Sequence, residues 1–162
     1  MGTVNFKKIM IATDGSTCSG LATDKGIEFA RLSGGTVYAV YVVSSASLFS
    51  MNQGYSYSMG KNPDLAPMYK EMHEMMEKQG HQALNYVKGL GEMNGVNVES
   101  VLLDGNPSDE LIRYAEEEKM DIVIMGTLGK TGLDRMFLGS IAGNLVRHSK
   151  VPVMVVREKC KS

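Results

Sequence analysis

Three glycines and a serine, Gly126, Gly129, Gly139 and Ser140, are the residues whose types and spacing best suit chemistry. They lie between an apolar run at 122–125 and an amphipathic stretch at 141–149. Glycine in a strand-to-helix connection lets backbone N–H groups approach an anion without side chains in the way. A helix opening at Ser140 aims unpaired N–H groups and its positive dipole end at the same point. Together these features predict a phosphate-holding loop. Counting excludes two common phosphate loops. Gly129-Lys130-Thr131 imitates the end of GxxxxGK[ST], but Ile124 stands where that motif needs its first glycine, and GxGxxG is absent from the chain. Lys130 and Arg135 add positive charge, serving either phosphate contact or a solvated surface. The competing reading is a long connection with glycines for turns; connections this long are uncommon and often functional.

A second candidate is Asp14, in Ala12-Thr13-Asp14-Gly15. A carboxylate beside polyphosphate is repulsive unless it takes a ribose hydroxyl or a divalent cation. Mg2+ held by one carboxylate plus phosphates is a common arrangement. Alternatively, Asp-Gly is a standard turn pair. His73, Glu77 and His81 recur at four-residue steps, as metal ligands or, the reading preferred here, as an exposed polar face. The two cysteines, Cys18 and Cys160, form no CxxC and no metal spacing, which favours a cytoplasmic protein. Cys18 falls near a first helical turn, where a thiolate is favoured, but is read as a small side chain without redox role. No nucleophile–histidine constellation can be assembled, because the histidines lie outside the proposed ligand loops.

The elements that must position these residues follow from periodicity. Residues 7–13 read as a buried strand, 16–33 as a helix with Leu21, Ala22, Phe29 and Ala30 on one face, and 36–43 as a second buried strand. Residues 44–67 look irregular. Residues 68–93 read as a long helix, weakened by Gly80, Gly89 and Gly91, whose methionines form either a core stripe or a partner surface. The core stripe is preferred. Residues 96–104 read as a strand. Asn106-Pro107-Ser108-Asp109 is a helix start with Asn as cap and Pro first. Strands at 120–125 and 151–156 complete the pattern, and Pro152 favours a sheet edge for the last. Alternating strands and helices imply an α/β fold: a doubly wound, five-stranded parallel sheet with helices on both faces and strand order 3-2-1-4-5. Its switch point, between strands one and four, sets Asp14 beside the glycine loop.

Composition narrows the function classes. At 162 residues one domain, 1–162, is expected, and 43% hydrophobic residues suffice for a core. A net charge of −1 without like-charge blocks gives no reason for nucleic acid or an anionic membrane as partner. No apolar run approaches a membrane span, and the N-terminus lacks a signal-peptide core.

The spacing G-x2-G-x9-G-S resembles the nucleotide loop of the universal stress protein family, in its ATP-binding subgroup. The resemblance extends to the aspartate after strand one, to Gly105-Asn106-Pro107, to Asp121-Ile122-Val123-Ile124-Met125-Gly126, and to the closing Val151-Pro152-Val153-Met154-Val155-Val156. It implies an adenine nucleotide alpha hydrolase-like fold that binds ATP with Mg2+. Gly126, Gly129, Gly139, Ser140 and Ile141 would then hold the phosphates, with Met125 and Lys130 also counted among the nucleotide-binding residues. Asp14 would stand by ribose, phosphate and metal, with Ala12, Thr13 and Val42 framing adenine. Leu128 departs from the polar or basic residue frequent at its position. The resemblance further implies a homodimer through 151–157 and a stress-response regulatory role with an unidentified protein partner. A slow Mg-dependent ATPase or phosphotransferase is the alternative, disfavoured because no catalytic base is evident.

Overall fold

A computed structural model of the chain orders its elements as β1 (Lys8–Ala12), α1 (Thr17–Ser33), β2 (Thr36–Val43), α2 (Ala66–Met93), β3 (Val98–Asp104), α3 (Pro107–Glu117), β4 (Ile122–Gly126), α4 (Ser140–His148) and β5 (Val153–Val156). The structure describes residues 5–44, 66–127 and 138–157. The strands form one sheet, β3-β2-β1-β4-β5, in which each neighbouring pair is parallel. The order expected from the sequence is the order observed.

Strand side chains alternate between two cores. Ile9 and Ile11 of β1 join Ile122 and Ile124 of β4 against α1 and α2, where Ala22, Ile27, Ala30, Leu84 and Val87 meet them. Met10 and Ala12 join Val123 and Met125 on the opposite face, against Leu111 and Ala115 of α3 and Ala142 and Leu145 of α4. Burial on both faces explains why β1 and β4 read as unbroken apolar runs. Each fully buried side chain of this size contributes about 1.5–3 kcal/mol, which makes the two central strands the rigid frame of the molecule. Their N-terminal ends are tied together by the Asp121 carboxylate, which accepts from the N–H groups of Lys7 and Lys8 at 2.7 and 2.8 Å.

Several boundaries differ from the sequence reading. α2 begins at Ala66, so the last two residues expected in an irregular 44–67 segment are helical; residues 45–65 lie outside the described residues. β5 begins at Val153, because Pro152 has no N–H to enter a ladder. The Pro152 carbonyl still accepts from Val123 N–H at 2.9 Å. α1 buries Ile27 and half-exposes Leu21, a rotation from the expected face. The methionines of α2 do not form a core stripe: Met76 packs against the core, whereas Met68, Met75 and Met93 are exposed. The glycine at 80 is structural. A Cβ there would meet Leu102 at 2.7 Å and Tyr41 at 2.8 Å, so α2 sits close on β2 and β3 because residue 80 has no side chain.

Candidate functional site

β1 pairs with β2 on one side and with β4 on the other, and the pairing with β4 ends at Ile11↔Ile124. Beyond that point the two connections part: α1 packs on one face of the sheet and α4 on the other. A cavity of about 640 Å³ occupies the gap. Its walls are apolar, from Ala12, Val40, Val42, Leu111, Met125 and Ile141, and its mouth carries Asp14, Gly139 and Ser140. Apolar walls with a few convergent polar groups are the usual character of a small-molecule site.

The polar end is the start of α4. Gly139 is the N-cap and has no side chain with which to bond the helix N–H groups. Its own N–H donates to the Thr127 carbonyl at 2.8 Å, and its carbonyl accepts from Gly143 N–H at 2.8 Å. The N–H groups of Ser140, Ile141 and Ala142 precede that first helical bond, have no acceptor among the described residues, and belong to residues that line the cavity. No acidic side chain stands in this first turn. Donors without a partner among the described residues, together with the helix dipole, favour an anion here.

The opposite wall is an unfinished ladder. Thr36 N–H donates to Lys7, and Val40 accepts from Thr13 N–H at 3.0 Å, so even-numbered residues of β2 face β1. Val37 N–H donates to Asn97, and Val43 accepts from Gly105 N–H, so odd-numbered residues face β3. Val42 therefore directs its N–H and carbonyl to the β1 side at a level where β1 has already ended. An adjacent donor and acceptor suit the edge of a heterocycle.

Asp14, expected above all as a ligand, also fills the alternative turn role. Its Oδ1 accepts from Ser16 N–H at 2.9 Å, and Gly15 completes the turn at φ 76°, which suits glycine. Thr13 is also engaged: its hydroxyl accepts from Gly15 N–H and lies 3.1 Å from the Ser19 hydroxyl. Because Ser19 Oγ donates to the Ser16 carbonyl at 2.8 Å, Thr13 is the donor to Ser19. What Thr13 offers the cavity is thus backbone.

The sequence model of the family described as Universal stress protein family matches residues 5–157. A universal stress protein of Methanocaldococcus jannaschii, MJ0531, is 35% identical over 156 residues, which is 96% of this chain and 85% of the relative. The chain belongs to the universal stress protein family. The solved structure of MJ0577, from the same archaeon, is similar with a TM-score of 0.82 at 26% identity, covering 98% of this chain and 100% of that one. A universal stress protein solved in complex with cAMP is similar at a TM-score of 0.64 and 22% identity, covering 94% and 98% of the two chains.

In this universal stress protein, Ala12, Thr13, Asp14, Val42, Met125, Gly126, Gly139, Ser140 and Ile141 all line the one cavity. Gly129 and Lys130, with Leu128 and Arg135, lie outside the described residues. Gly126, besides lining the cavity, has a packing role that its spacing does not suggest. A Cβ there would stand 2.9 Å from the Cys18 carbonyl oxygen and 3.3 Å from its carbon, so this glycine lets the first turn of α1 rest on β4. His73 lies 3.4 Å from both Glu77 and Asp104, on α2 and away from the cavity lining. Among the described residues no cluster of three or more acidic, histidine or cysteine side chains is arranged to hold a metal. Sequence reasoning missed Val40, Pro107 and Leu111 in the lining. The signal was available in the strand order, which puts α3 on the same face as α4.

Proposed function

We propose that this protein binds an adenine nucleotide, ATP with Mg2+, at the switch-point cavity and acts as a homodimeric regulator in the cytoplasm. The observation that carries the reading is the uncapped start of α4 opening on an apolar cavity of nucleotide size. Phosphates sit on the N–H groups of Ser140 and Ile141. The base lies between Val40, Val42 and Met125, where the Val42 N–H and carbonyl match the acceptor and donor on adenine's Watson–Crick edge. Asp14 faces the ribose and, through its carboxylate, shares Mg2+ with the phosphates; a single carboxylate suffices when phosphates supply the other ligands. A relative solved with cAMP supports an adenine nucleotide as the class of ligand. Calorimetry with ATP, GTP and AMP, with and without Mg2+, tests the reading. ATP is expected to bind in preference to GTP, and Asp14→Asn to remove the Mg2+ dependence. Absence of binding by every adenine nucleotide would overturn it.

The dimer forms through β5, the sheet edge, across 151–157. Val156 and Pro152 carbonyls accept from β4, so even-numbered residues of β5 face inward and the backbone groups of Val153 and Val155 face outward. The donor missing at Pro152 is thus missing on the inner side, and the outer edge is intact for antiparallel pairing with a second copy. Val155→Pro removes an outward donor while sparing the β4 ladder. It is expected to give a monomer by light scattering; a variant that stays dimeric, or a monomeric wild type, refutes edge pairing.

A further inference from the structure

A second cavity, about 890 Å³, runs between α1 and α2 and shares Thr13, Asp14 and Ser19 with the first. We propose that it is a subsite for an uncharged or cationic group carried on the ribose hydroxyls of the bound nucleotide, such as an aromatic acyl or aminoacyl ester. The proposal rests on the nucleotide reading above and extends it. Connection is the first argument: Asp14, the residue facing the ribose, stands at the junction of the two spaces, so a substituent on that sugar has a way through. Charge is the second. Among the described residues the groove is lined by two charged groups, Asp14 and Asp24, and by no lysine or arginine. The start of α1 offers no anion seat either, because Ser16 caps it by accepting from Ser19 N–H at 3.2 Å. A phosphate without a metal thus finds no cationic partner among these groups, and a neutral or positive group is favoured. Shape is the third. Gln82 and Tyr86, four residues apart on α2, both line the groove with an amide and a ring, and Tyr86 is 55% exposed. An amide both donates and accepts, and a tyrosine face stacks planar groups.

The test compares four ligands by fluorescence and calorimetry on the full chain. They are ATP, ATP bearing an N-methylanthraniloyl ester on its ribose, AMP, and AMP with a second phosphate on the ribose 3′-hydroxyl. The ester is expected to bind about tenfold more tightly than ATP, the size of one aromatic stacking contact. The second phosphate is expected to weaken AMP by a similar factor. Tyr86→Ala should remove the gain of the ester and leave ATP unchanged, and Asp24→Lys should close the gap between the two AMP ligands. If ATP and AMP bind but the ester gains nothing, or its gain survives Tyr86→Ala, the groove is not the subsite. If ATP and AMP themselves fail to bind, the nucleotide reading falls and this inference with it.

Discussion

α3 and α4 start at the same end of the sheet and line the same cavity, yet their first turns are built in opposite ways. At α3 the Asn106 side chain accepts from the N–H groups of Ser108 and Asp109 at 3.0 and 3.3 Å, and Pro107 contributes no N–H at all. Asp109 and Glu110 add carboxylates to that turn, where the dipole is positive. The chain itself thus satisfies the α3 terminus. At α4 the cap is Gly139, no side chain among the described residues bonds the turn, and no acid stands in it. A capped terminus with carboxylates repels an anion; an uncapped one beside a cavity attracts it. On the proposed nucleotide reading, the difference would orient the ligand, with phosphate at α4 and the uncharged portion against Leu111 and Pro107 at α3.

Converting one terminus into the other has the largest expected effect. Gly139→Asp supplies α4 with the cap it lacks and places a carboxylate where phosphate is to bind. The cap should raise stability slightly, by roughly a few tenths of a kcal/mol, because glycine is itself a tolerated cap. Losing charge-assisted bonds worth about 1.5–3 kcal/mol each and adding repulsion should weaken ATP by about 100-fold or more. Opposite signs in melting temperature and affinity are the signature to look for. A variant that melts higher and binds ATP as before would place the phosphate elsewhere.

The comparison also marks how far the sequence could be read. Asn106-Pro107 announces a capped helix, and the α3 start was legible because its partners are two and three residues away. Strand order was legible because alternating β and α segments with right-handed crossovers leave few arrangements. The glycines were harder. Gly126 and Gly139 share one motif but not one reason: Gly139 keeps a helix start open, whereas Gly126 admits a backbone more than a hundred residues earlier in the chain, at Cys18. No local pattern shows that contact. The orientation of Val42 likewise depends on where β1 stops relative to β2, which is a property of register. The methionines of α2 misled because spacing alone does not say which face of a long helix meets the sheet; Gly80, pressed against Tyr41 and Leu102, does.

Gly126→Ala separates the two kinds of glycine and should have an intermediate effect. The added methyl group meets the Cys18 carbonyl oxygen at 2.9 Å, and backbone cannot give way as a flexible side chain does. Such overpacking costs about 1–3 kcal/mol. Chemical denaturation should show that loss with little change in the slope, since the folded state stays compact. ATP affinity in the folded fraction should fall far less than in Gly139→Asp. A loss of affinity with undiminished stability would mean that Gly126 is kept small for the ligand after all.

Asn106→Ala should have the smallest effect and an effect of the other kind. It removes the oxygen that serves Ser108 and Asp109 N–H, at a cost of about 1 kcal/mol. For a chain of this size that lowers the melting temperature by about 2–4 °C. On the proposed reading the α3 terminus is not the anion seat, so ATP affinity should change by less than about twofold, well under the tenfold that 1.4 kcal/mol represents. A small residual effect has a route, because Asn144 Nδ2, in the second turn of α4, donates to Ser108 Oγ in the first turn of α3 at 3.3 Å and couples the two helices. Uncapping α3 could loosen that tie without altering the α4 N–H groups. Measured beside Gly139→Asp, the variant gives the comparison its sign. If Asn106→Ala instead tightened ATP markedly, the freed N–H groups of α3 would be binding phosphate, and the two helix starts would have exchanged the roles assigned to them.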